Sequence, residues 1–404
     1  MENQNDKIGD PYKKKDRIKS FDIFKGIAIF WIVIGHIAHY WLIVSSIWIY
    51  EFLLTFIFRC ITGLNFIFLL GVNLSISYYS KKDSGWTTRQ IWSHNLKRIG
   101  VLLIISIIYN IIIETIIGTF DWTKIFSWYI LQLIIFGLIV LLLLHKLNII
   151  LKVLLAIIII LISYPLQYYL NSIGGWGSIL WRILFYPPEQ YPIFPWLAAP
   201  LIGAAIGEIF YKVRYKDFES SSFFNNFKGL IKKLIIIGIF CVIIGVVFGF
   251  RYPINSAFEH YWFELGEIHA ENLQTNYFFT GITNIPCFLL EGHWTSFFYG
   301  IGVILICLGV LTYYCDLKNH KNWVFNAFAF AGMFSLSIFI YHHIGILWFI
   351  HMFNFIWIFP TVISFTIGFI ALIWIVVKKF KAVGTIEWLF FIITNRYKLK
   401  KKET

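Results

Sequence analysis

The 404 residues predict an all-α, polytopic membrane protein of about ten transmembrane helices. Three observations lead there: hydrophobic residues make up 59% of the chain, charged residues only 14%, and the apolar residues gather in long uninterrupted runs. A water-soluble domain carries roughly 25% charged residues. At a rise of about 1.5 Å per residue, some 20 apolar residues cross a hydrocarbon core of about 30 Å.

Such runs fall at 21–44, 51–79, 99–119, 125–144, 148–170, 191–211, 230–250, 294–314, 328–350 and 354–378. The first follows a basic segment, as a signal peptide would, but it is too long and no small-residue cleavage pattern follows, so it reads as a retained span. The second is too long for one straight helix. A tilt, a break near Gly63 or an interfacial start is expected there. The remaining runs each suit one crossing.

Orientation follows from Lys and Arg, which concentrate in cytoplasmic loops. With the N-terminus inside, all but Arg59, Lys124, Arg182 and Arg251 of the 34 basic residues lie on the inner side. Both termini are therefore expected in the cytoplasm. The chain divides into a basic N-terminal tail (1–19), a membrane domain (20–380) and a basic C-terminal tail (381–404). The net charge of +13 is then a consequence of topology and of attraction to anionic lipid heads, and no nucleic-acid partner is implied. On the outer side, 171–190 and 251–293 read as long aromatic loops, the second carrying Glu259, Glu264, Glu267, Glu271 and Glu291. Cys60, Cys241, Cys287, Cys307 and Cys315 form no C-x-x-C pair, so neither a disulfide framework nor a metal site is expected from their spacing.

The first run, FDIFKGIAIFWIVIGHIAHYW (21–41), carries ionisable side chains at depth. Lys25 and His36 are eleven residues apart, which on a helix places them within about 20° of one face and about 16 Å apart along it. With Lys25 at the inner interface, His36 falls near the bilayer midplane and His39 one turn farther out. Ionisable groups in a span usually face the bundle interior or a wet cavity. The plainer readings are that Lys25 snorkels to phosphate heads, that the imidazole is a neutral interhelical hydrogen-bond partner, and that Asp22 caps the helix entry.

The order Asp22, Lys25-Gly26, His36 resembles the opening signature of the heparan-alpha-glucosaminide N-acetyltransferase catalytic-domain family and of the related acyltransferase family three. The resemblance continues in FIFLLGVNLSISYYSKK (66–82), FDWTKIFSWYILQLI (120–134), YPIFPWLAAPLIGAAIG (191–207), TSFFYGIGVILICLGVLTYY (295–314) and SLSIFIYHHIGIL (335–347). Lys25 stands where the family usually has Arg, and Lys lacks the bidentate fork. The resemblance implies transfer of an acyl group, typically acetyl, from cytoplasmic acetyl-coenzyme A to a glycan, glycolipid or other sugar-containing acceptor on the far side. His36 is then the catalytic residue, taking a proton from the acceptor or carrying the acyl group itself.

Lys25, Lys97 and Arg98, with Lys81, Lys82 and Arg89 nearby, are candidates to hold the donor's phosphates. His39, Glu291, His293 and His342 are candidates to meet the acceptor, His342 or its neighbour His343 by facing inward from the ninth span. Asn65 and Asn73 read as interhelical hydrogen-bonding residues, and Glu114 and Glu208 as groups near span ends. Membrane lipids, the thioester and the acceptor are the expected partners, in a multi-pass protein of the plasma membrane. A second copy of the chain is left open, and no metal is expected. Two rivals stand beside this reading: a proton-coupled secondary transporter relaying through His36 and His39, and a non-catalytic relative that binds lipid.

Overall fold

A computed structural model describes residues 17–59, 61, 63–117, 129–185, 191–216, 223–256 and 259–400. In chain order the helices are α1 (Lys19–Trp41), α2 (Ile47–Leu53), α3 (Gly63–Asp83), α4 (Thr88–Ile117) and α5 (Ile130–Leu143). Next come α6 (Ile149–Ser172), α7 (Trp176–Phe185), α8 (Ile193–Trp196), α9 (Ala198–Tyr211), α10 (Phe223–Gly249) and α11 (His260–Gln274). The chain continues with α12 (Trp294–Leu311), α13 (Trp323–Met333), α14 (Ser335–Tyr341), α15 (Phe355–Phe380) and α16 (Ile386–Lys400). Among the described residues eight helical segments are long and apolar enough to span a membrane, joined by a bent pair and by the shorter apolar helix Ile130–Lys146. The protein is all-α and polytopic.

Two of the ten runs differ from a simple span. The 51–79 run breaks where its length requires, with α2 and a widened turn at Leu54–Phe58 preceding α3, which starts at Gly63. The 328–350 run is two helical pieces, Trp323–Met333 and Ser335–Trp348, bent by 71°. Phe334 leaves helical geometry between them. From α16, the Glu387 carboxylate accepts the Leu336 and Ser337 amides at 3.0 and 3.2 Å. These are orphan donors of a helix start, which a carboxylate satisfies well. The two long stretches read as aromatic loops carry helices among their described residues: 171–190 contains α7 and 251–293 contains α11. Their mixed polar and apolar composition hid them from a reading based on apolar runs. Residues 118–128 and 186–190, which include parts of the third and fourth runs and of the 171–190 loop, lie outside the described residues.

Lipid offers no hydrophobic drive between helices, so close backbone approach through small residues carries much of the packing. α1 and α13 cross at Gly26 and Gly332. A Cβ built on Gly26 falls 1.8 Å from the Phe328 carbonyl oxygen, and one on Gly332 falls 1.8 Å from that of Asp22. The glycine after Lys25 thus has a packing role. α3 and α9 meet the same way, Gly203 against the Phe68 carbonyl and Gly71 against that of Pro200. Asn65, fully buried on α3, donates to the Phe24 carbonyl at 3.3 Å and ties α3 to α1.

The basic helix ends gather at one end of the bundle. Asp316 accepts the Lys19 and Ser20 amides at 2.8 and 3.2 Å. Glu208 bridges Lys152 at 2.8 Å and Lys212 at 3.0 Å. Arg98 lies over the Phe390 ring at 5.5 Å. The start of α1 and the C-terminal α16 therefore share this end. Asp22 does not cap α1, whose N-cap residue is Ile18; its carboxylate holds the Arg17 guanidinium at 2.5 and 2.6 Å.

Candidate active site

Near the C-terminal end of α1, a cavity of about 520 Å³ is walled by residues of α1, α2, α4, α5, α8, α11, α14, α15 and neighbouring turns. His36, His39, Arg59, Tyr109, His269 and Glu291 supply much of its polar lining. His36 lies five residues from the end of α1, roughly 8 Å by the helical rise. This is closer to the non-basic end than the mid-depth expected from taking Lys25 as the interface.

The inner wall is a chain of imidazoles. His36 Nδ1 lies 3.0 Å from His342 Nε2, and His342 Nδ1 lies 3.1 Å from the Ile338 carbonyl. A carbonyl only accepts, so a neutral His342 carries its hydrogen on Nδ1 and accepts at Nε2. His36 then donates from Nδ1, and its Nε2 keeps a free lone pair. The same logic applies to His343, whose Nδ1 donates to the Phe339 carbonyl at 3.1 Å while Nε2 accepts from the Tyr109 hydroxyl at 2.9 Å. The bend before α14 makes this arrangement: His342 and His343 follow within one turn of its end, and their carbonyl partners lie one helical turn back.

The α2–α11 side of the cavity holds a second network. His269 on α11 lies with Nδ1 2.8 Å from the Glu51 carboxylate on α2. Its Nε2 lies 3.1 Å from the Arg59 guanidinium, which also donates to the Leu289 carbonyl at 3.0 Å. A guanidinium only donates, so His269 accepts from Arg59 at Nε2 and, as a neutral ring, donates from Nδ1 to the carboxylate; burial also pushes the imidazole below its ordinary range. Asn272 donates to the other Glu51 oxygen at 3.1 Å. Glu291 stands 3.7 Å from Arg59 Nε, and burial pushes its carboxyl up. Tyr50, Tyr191 and Tyr261 add ring surface and hydroxyls to the wall.

Of the residues singled out by sequence, His36, His39 and Glu291 meet in this cavity. His342 stands behind His36, fully buried, and it is His343 that lines the cavity. His293, 1% exposed, lies outside the lining; it caps α12, its Nδ1 2.7 Å from the Thr295 hydroxyl. Lys25, Lys97 and Arg98 lie outside the cavity lining, Lys25 and Arg98 half-buried and Lys97 exposed. Glu208 is paired with two lysines, and the Glu114 side chain lies outside the described residues. Sequence reasoning missed Glu51, Arg59, Tyr109 and His269. For Glu51 and Arg59, an acid and a base inside the apolar run 51–79 were the available signal.

The family described as Heparan-alpha-glucosaminide N-acetyltransferase, catalytic, matches residues 17–244. That stretch contains α1 with His36, the Glu51–Arg59 segment and Tyr109. No curated protein matches the chain.

Proposed function

Because the chain belongs to the heparan-alpha-glucosaminide N-acetyltransferase catalytic family, an acetyltransferase-type assignment, we propose that it moves an acetyl group from acetyl-coenzyme A to a sugar-containing acceptor. The donor arrives at the basic, cytoplasmic end and the acceptor enters from the other. The observation that carries this reading is the free Nε2 lone pair of His36, aimed by the hydrogen bond its Nδ1 makes to His342. That nitrogen takes the proton of an acceptor hydroxyl or amine as it attacks the thioester carbonyl, and the coenzyme leaves as a thiolate that collects a proton. Acyl transfer through the same nitrogen uses the same lone pair. Either way His342 holds the ring and accepts a hydrogen bond from the imidazolium that develops, as an orienting partner does for a catalytic histidine.

The test is release of free coenzyme A thiol by purified protein in detergent. Release that depends on acceptor supports transfer; a protein that consumes no acetyl-coenzyme A with any sugar acceptor contradicts it.

Sugars suit the outer half of the cavity, since their apolar faces stack on tyrosine rings and their hydroxyls pair with Glu51, Glu291 and Arg59. Arg59→Ala removes the donor that fixes His269 and Glu291 and is expected to raise the acceptor KM by roughly 10–150-fold, the equivalent of one charge-assisted hydrogen bond at about 1.5–3 kcal/mol. The KM for acetyl-coenzyme A is expected to stay within about twofold. Steady-state kinetics with each substrate varied in turn measures both, and a donor KM that rises equally would place Arg59 elsewhere in the mechanism.

At the basic end, Lys25 is half-buried with the Asp22 and Glu387 carboxylates among its charged neighbours, and its ammonium is the group we assign to a donor phosphate. Lys25→Ala is expected to weaken coenzyme A binding by about 10-fold or more, and Lys25→Arg to preserve or tighten it. Calorimetry with coenzyme A in detergent decides; equal affinity in all three proteins would return Lys25 to a snorkelling role.

A further inference from the structure

His36, His342 and His343 hold more chemistry than one base. Each offers a ligand nitrogen, and these nitrogens lie within 4.8 Å of one another. Two of the rings, His342 and His343, keep their Nδ1 hydrogens on helix carbonyls of Ile338 and Phe339, so both present an Nε2 lone pair. Metal-ligating imidazoles are held in this way, the second nitrogen donating to a carbonyl that fixes tautomer and ring orientation. His36 and His343 line the cavity, which gives an ion a path to the trio.

We propose that these three histidines bind one divalent transition-metal ion, with Zn²⁺ the best match, and that its occupancy silences His36. The donor set decides the class. Three neutral imidazoles with no carboxylate suit Zn²⁺ and its first-row neighbours, whereas Mg²⁺ and Ca²⁺ need oxygen ligands. The ion takes the place of the hydrogen shared between His36 Nδ1 and His342 Nε2, now 3.0 Å apart. Zn–N bonds of about 2.0–2.1 Å in tetrahedral geometry hold ligand nitrogens about 3.3 Å apart, so this gap opens by a few tenths of an ångström. His343 turns its Nε2 from the Tyr109 hydroxyl to the ion. The displaced Nδ1 hydrogen of His36 reappears on Nε2 by exchange with cavity water. The ring stays neutral, no net proton is released, and the lone pair needed for transfer is gone. The silencing rests on the proposed function; the ion site does not.

The test uses the full-length protein in detergent, stripped with chelator and titrated with Co²⁺, whose visible absorption reports low-coordinate nitrogen sites, and then with Zn²⁺ to displace it. One ion per chain is expected. His36→Ala and His343→Phe should each weaken it by at least about 10–100-fold, since even outer-shell partners of a metal site contribute that much. His320→Ala, which removes an exposed imidazole, should bind as the parent does. Thermal unfolding of each variant checks that it is folded. Absence of a saturable site, or parent-like affinity in both folded trio variants, overturns the proposal. Acetyl transfer inhibited by stoichiometric Zn²⁺ and restored by chelator supports the silencing, and transfer untouched by a bound ion overturns it. Protein that binds the ion as expected but never releases coenzyme A thiol would instead refute the proposed function.

Discussion

His36→Ala is expected to lower acetyl transfer by at least about 10²–10⁴-fold, the contribution of a single general base, with the loss falling on kcat rather than on the KM of either substrate. The reason is positional. His36 is the one imidazole of the trio whose free nitrogen faces the cavity, and its other nitrogen is tied to His342 at 3.0 Å. Folding should survive, because the ring borders an existing cavity, so an alanine enlarges that space and gives up only an edge contact with the Phe339 ring. His342→Phe is the informative companion, since it keeps ring volume but removes the acceptor that sets the His36 tautomer; a loss smaller than that of His36→Ala is expected. His39→Ala, one turn farther out against Tyr50, should do less than either. Thiol-release assays on monodisperse protein measure all three. A fully active His36→Ala would remove the catalytic assignment, and a more damaging His39→Ala would move it.

The second large effect is on folding. Gly26→Leu is expected to abolish accumulation of folded protein, and Gly26→Ala to destabilise it by more than the ~1–3 kcal/mol typical of an overfilled core. A Cβ at this position falls 1.8 Å from the Phe328 carbonyl oxygen and 3.0 Å from the Gly332 amide. These are backbone atoms, so no rotamer change relieves the contact. α1 must move away from α13, and α13 leads into the bend that carries His342 and His343. Gly35, with nothing within 4 Å of its built Cβ, is the control: Gly35→Ala should express and melt like the parent. Fluorescence-detected size exclusion and thermal scanning in detergent report both. Equal behaviour of the two alanine variants would contradict the crossing.

Much of the fold was legible because apolar run length measures spans directly, and the excess length of 51–79 forced a break that falls at Gly63. The bend between α13 and α14 was not legible. It depends on Glu387, 50 residues from Ser337, and no local pattern announces that a distant carboxylate will satisfy a helix start. His36, His39 and Glu291 could be proposed because each is a polar group in or beside an apolar stretch. The Glu51–His269–Arg59 network could not, since its members lie 218 and 210 residues apart and α11 looks like a polar loop in sequence. In sequence, His342 is one of two neighbouring histidines that could face inward from the ninth span to meet the acceptor. Its actual position, behind His36, follows from a pairing across 306 residues.

The scheme as a whole turns on sidedness, and sealed proteoliposomes of known orientation test it most directly. Acetyl-coenzyme A labelled in the acetyl group is supplied to one face only, with a sugar acceptor on the other. The account predicts that label is consumed only from the face carrying both termini and that acetylated product appears on the opposite face, with neither seen in His36→Ala vesicles. Donor consumed from the face of α7 and α11, or product released on the donor's own side, would contradict it even with His36 essential.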